Sequence, residues 1–71
     1  MKANKFVVSG LNDAKNFQQI EQSIHSHDGI NAVRIDITAS TVTVDYDEGR
    51  YSEGDVKKFV SQAGLDVKQV K

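Results

Sequence analysis

Three groups of side chains in this chain have types and spacing that could support chemistry. His25 and His27 form a His-x-His pair, and two imidazoles that close in sequence can bind Ni²⁺, Cu²⁺ or Zn²⁺. Two ligands leave most of a coordination shell open, and an imidazolium near a helix C-terminus is also favoured by the helix dipole, so that interaction is the preferred account of both. The acidic turn Asp45-Tyr46-Asp47-Glu48-Gly49 has the flavour of a calcium loop. An EF-hand needs Gly at its sixth position and Glu at its twelfth; counted from Asp45, those positions hold Arg50 and Val56, so the match fails and a solvated loop is expected. Ser9, Ser26 and Gly10 belong to no nucleophile elbow and no phosphate-binding glycine loop, and no carboxylate pair falls in a foreseeable cleft. The chain reads as a non-enzyme.

Composition narrows the field further. There is no cysteine, which excludes a disulfide framework, a thiolate metal site and a thiol redox centre together. Net charge is −1 with the basic residues scattered, so nucleic acid is not an expected partner. With 38% hydrophobic and 27% charged residues the chain is neither disordered nor membrane-spanning in character. The N-terminus lacks the apolar segment of a secretory leader, so a cytoplasmic protein without membrane insertion is expected. Seventy-one residues suffice for one domain, 1–71, with a small core.

The elements that would position these groups follow from periodicity. Phe6 and Val8 share a strand face; Val33, Ile35 and Ile37 alternate with Arg34, Asp36 and Thr38; Val42, Val44 and Tyr46 alternate with Thr41, Thr43 and Asp45. One dry side per strand implies a sheet covered on a single face. Val7, Ser9, Arg34, Asp36, Thr38, Thr41, Thr43 and Asp45 are then expected on its outward, mostly polar face. A first helix starting near Asp13 sets Ala14, Phe17, Ile20 and Ile24 on one stripe, with Lys15, Gln18, Gln19 and Gln22 opposite and Gly29 as the stop. A second helix begins at a near capping box, Ser52 with Asp55, and carries Val56, Phe59, Val60 and Ala63 inward until Gly64 ends it. A short strand from Leu65 to Val70 closes the chain. The order βαββαβ predicts an α+β, ferredoxin-like sandwich: a four-stranded antiparallel sheet with two helices on one face. Thr38-Ala39-Ser40-Thr41 lacks a tight-turn signature, so a longer or irregular hairpin connection is expected.

Phe6-Val7-Val8-Ser9-Gly10-Leu11 leading into a helix, then Gly29 to Asp36, Thr41 to Asp47 and Ala63-Gly64-Leu65-Asp66-Val67, resembles the heavy-metal-associated domain of copper chaperones and metal-transporting ATPases. In that family the first loop reads Gly-Met-Thr-Cys-x-x-Cys. The resemblance places Gly10 and Leu11 at its Gly-Met, Asn12 at its Thr, and Asp13 and Asn16 at its two cysteines, with Leu65 where a tyrosine or lysine often stands. It implies a small module of metal homeostasis with a protein partner in metal transport, whose metal loop has lost its thiolates. Hard oxygens at Asp13 and Asn16 suit Cu(I) poorly, and Asn12 and Asp13 are also good helix caps. With Lys15 they would make a polar contact knuckle, and a weakly held divalent ion is the most that can be expected as cofactor. Two further readings stand beside this one: a metal carrier using Asp13 and Asn16 or His25 and His27, and a structural or oligomerising domain without ligand.

Overall fold

The computed structural model describes residues 2–11 and 17–71. Six elements follow in order: β1 (Lys2–Ser9), α1 (Phe17–His25), β2 (Ile30–Asp36), β3 (Thr41–Tyr46), α2 (Glu53–Gln62) and β4 (Asp66–Val70). The strands form one antiparallel sheet in the order β2-β3-β1-β4, the expected ferredoxin-like topology. No helix among the described residues is long and apolar enough to cross a membrane.

Strand alternation becomes cross-strand rows. Ile35 pairs with Val42, which pairs with Phe6, which pairs with Val70; the next row is Val33, Val44 and Asn4. Phe6, Val8, Val33, Val42, Val44 and Tyr46 form the inner layer, and Ile24, Val56 and Val60 close over it from the helices. Phe17, Ile20, Phe59 and Ala63 pack around this core as the stripes predict. The capping box at α2 forms reciprocally: Asp55 N–H donates to the Ser52 hydroxyl at 3.2 Å, and Ser52 N–H donates to the Asp55 carboxylate at 3.0 Å. Ala63 is the C-cap and Gly64 follows it.

Several expectations change. β1 begins at Lys2 rather than Phe6, because its N-terminal half pairs with the end of β3, Lys2 opposite Tyr46. β2 stops at Asp36, leaving Ile37 in the turn and 47% exposed instead of on the dry face. The Asp36 carboxylate accepts from Ala39 N–H at 3.1 Å and Ser40 N–H donates to the Ile37 carbonyl, so local hydrogen bonds outbid continued strand pairing. Thr38 also lies in that four-residue turn. Thr41, expected outward, is buried, flanked in register by Val7 and Asp36 on the two neighbouring strands. A register irregularity between Ile30 and Ala32 lets both Ile30 and Val33 face inward, which a strict two-residue period forbids. The expected helix start near Asp13, and Ala14 on its stripe, lie outside the described residues.

Candidate functional site

One end of the sandwich gathers the strand end Ser9-Gly10-Leu11, the β2–β3 turn and the segment between α2 and β4. Gly10 has φ of +88°, a backbone state that a side chain resists, and it turns the chain off β1. Leu11 immediately plugs the core and is fully buried; Leu65, arriving from the other side, is buried too. Val8 N–H donates to the Ser40 carbonyl at 3.0 Å, and the Ser40 hydroxyl donates to the Val8 carbonyl at 2.7 Å. Ser40 takes φ of +56° to make this contact. On the opposite flank Ser9 pairs with Asp66. The Lys68 ammonium, 2.9 Å from the Asp66 carboxylate, lowers the Asp66 pKa, with a smaller contribution from the Ser9 hydroxyl. This end of the sandwich is thus built from two buried leucines, Ser40 and the Ser9–Asp66 pairing. Asn12, Asp13, Lys15 and Asn16 themselves lie outside the described residues.

The other end of the molecule carries the histidines, and the structure gives the two rings different partners. His27 stacks on Phe59, with centroids 3.8 Å apart and planes 12° from parallel; Tyr51 meets Phe59 edge-on at 5.1 Å. His25 donates Nε2–H to the Asn31 carbonyl at 3.1 Å. Among the described residues no three His, Asp or Glu side chains come together as a metal-binding group. The acidic turn is structural: Asp47 Oδ1 accepts from Gly49 N–H at 2.9 Å and Asp47 N–H donates to the Gly29 carbonyl at 2.8 Å.

A polar chain, buried at Tyr46 and Asn4 and reaching the surface at Glu53, links this end to the sheet. The Tyr46 hydroxyl donates to Asn4 Oδ1 at 2.6 Å, and Asn4 Nδ2 donates to Glu53 Oε1 at 2.9 Å. Sequence reasoning passed over Asn4. Its signal is its place two residues before Phe6 and four before Val8, on the inward parity of the strand. Ser40 carries no comparable mark, because only strand pairing brings it to Val8.

A family model described as the heavy-metal-associated domain matches residues 5–66. The copper chaperone CopZ of Staphylococcus haemolyticus (strain JCSC1435) is 33% identical over 49 residues, covering 69% of this chain and 72% of that protein. Among solved structures, a copper-binding domain from HMA7, a P-type ATPase, superposes with a TM-score of 0.83 at 19% identity, covering 96% of this chain and 92% of that one. A chain of the Atx1-Cu(I)-Ccc2a complex superposes with a TM-score of 0.80 at 16% identity, covering 96% of this chain and 93% of that one. The frame around Gly10 and Leu11, the fold and the match across residues 5–66 agree: the chain belongs to the heavy-metal-associated domain family.

Proposed function

We propose that this protein is a non-enzymatic interaction or regulatory module of metal homeostasis, cytoplasmic, in which the family's metal loop persists as a shape without its soft donors. The observation that carries this reading is the pairing of an intact frame, with Leu11 fully buried behind Gly10, and a chain that contains no cysteine. Cu(I) is cargo in this family's chemistry and needs soft ligands; a carboxylate at Asp13 and an amide at Asn16 do not supply them. Hard cations would accept such oxygens but require ~6 ligands or more, beyond what two side chains offer. The residues present therefore do not fit a soft metal, and no transfer step is assigned to this loop.

Partnership with a protein of metal transport is the function that remains for such a frame. Support comes from the similarity to a copper chaperone and to a chain of the Atx1-Cu(I)-Ccc2a assembly. Gly10, Leu11, Asn12, Lys15 and Leu65 mark the end through which contact is proposed.

Isothermal titration with Cu(I) under chelator competition tests the proposal. Negligible binding is expected for the native chain, and submicromolar one-to-one binding at the Gly10 to Asn16 loop would end it. The double variant D13C/N16C is expected to gain tight Cu(I) binding while keeping its fold. A folded double variant without that gain would show that positions 13 and 16 are not the equivalents of the family's two cysteines.

A further inference from the structure

The outward side of α1 holds Gln18, Glu21, Gln22, His25 and Ser26 around one open groove of about 300 Å³. Glu21 and His25 are one helical turn apart, so their side chains share a face, with Cβ atoms roughly 5–6 Å apart. Helical side chains lean toward the N-terminus, which carries the imidazole back over the turn that bears the carboxylate. The hydrogen bond from His25 then decides the rest. A carbonyl oxygen can only accept, so Nε2 carries the proton toward Asn31 and the neutral ring keeps its lone pair on Nδ1. A backbone carbonyl that orients an imidazole in this way is the usual outer support of a histidine metal ligand. Here the support is built by the sheet: Asn31 sits at the irregularity between Ile30 and Ala32.

We propose that Glu21 and His25 form a surface site for a divalent ion of intermediate softness, Zn²⁺, Ni²⁺ or Cu²⁺. His25 Nδ1 and one Glu21 oxygen bind the ion, and water completes the shell. Imidazole with carboxylate selects this class over Cu(I), which wants sulfur, and over Ca²⁺ or Mg²⁺, which want oxygens alone. His27 is not part of the site, since it does not line the groove and its ring lies against Phe59 instead. With two protein donors the ion exchanges readily. The site is independent of the 12–16 loop and of the function proposed for that loop.

Zn²⁺ titrated into ¹⁵N-labelled full-length protein at neutral pH, followed by amide spectra, tests the assignment. Shifts are expected at residues 18–26 and at Asn31. H25Q should abolish them, E21Q should weaken binding about 10-fold, equivalent to about 1.4 kcal/mol, and H27Q should leave the affinity within about 2-fold. Both His25 and Glu21 are exposed, and the unshifted core amides report that each variant is folded. Shifts that survive H25Q, that vanish in H27Q, that centre on residues 12–16, or that never occur would overturn the proposal. Cu(I) titration of the loop is a separate measurement, so failure of one reading leaves the other decidable.

Discussion

The two ends of this sandwich are held by different kinds of force. At the end carrying Gly10, the chain is retained by buried leucines and by hydrogen bonds in which Ser40 clasps the backbone of Val8. At the opposite end the holding groups are directional side chains: the His27–Phe59–Tyr51 ring cluster, the Tyr51 hydroxyl donating to the Asp28 carbonyl, and the Tyr46–Asn4–Glu53 chain. Arg50 adds an ion pair to Asp28 at 3.5 Å, but both groups are largely exposed and such pairs contribute little. The contrast lies in how much each end asks of side-chain identity. The Gly10 end relies on apolar burial and on one serine, whereas the far end relies on stacked rings, a phenol and an amide held in directed contacts.

Five substitutions probe this contrast, beginning with the greatest expected loss. Leu11→Ala removes a fully buried plug and should destabilise the fold by about 3 kcal/mol in urea unfolding. A cost no larger than that of a surface change would mean that the Gly10 end is not part of the common core. Gly29→Ala should cost about 2 kcal/mol, because φ is +100° and the added Cβ would stand 2.9 Å from Arg50 Cδ and 3.0 Å from Tyr51 Cε2. An unchanged midpoint would show that the far end can yield more easily than its packing indicates.

Tyr46→Phe deletes the donor to Asn4 Oδ1 inside the protein and should cost about 1.5 kcal/mol. Combined with Asn4→Leu, the loss should shrink in a double-mutant cycle, since no buried acceptor is then left bare. Additive effects would remove the polar chain from the account. Ser52→Ala, breaking the α2 cap, should cost about 1 kcal/mol.

The cap also has a signature in pH. The Ser52 N–H, then its hydroxyl, lower the Asp55 pKa below the ordinary carboxylate value. A carboxyl with a depressed folded pKa stabilises above its unfolded value, near ~3.9, and that contribution disappears as pH falls through the folded value. Unfolding curves across the acid range should therefore show part of the acid-side loss of stability missing in Ser52→Ala. An identical slope in both proteins would exclude the share that comes from the Ser52 hydroxyl.

Legibility differed by element. The α2 stripe, its capping box and its stop at Gly64 were readable because each involves residues within about one or two turns of one another. The hairpin was readable only as irregular: the Asp36 side-chain bond and the outward Ile37 depend on where pairing stops, which alternation does not mark. For the candidate sites, His25 and His27 looked equivalent in the chain. Phe59, 32 positions beyond His27 by residue number, separates them, as does the Asn31 carbonyl that His25 meets on β2.

By itself the amino-acid order determined the succession of strands and helices, the inward stripe of α2 and most of the strand alternation, and the absence of thiolate chemistry, because periodicity, capping and composition are local or global properties of a chain. Tertiary structure alone decided that Asn4 is buried against Tyr46 and Glu53, 42 and 49 positions away, and that Ser40 holds Val8 across 32 positions. It likewise decided which histidine is left facing a groove and which is spent on a ring stack. Those outcomes turn on register and on the meeting of elements distant in sequence, where a shift of one residue changes every partner.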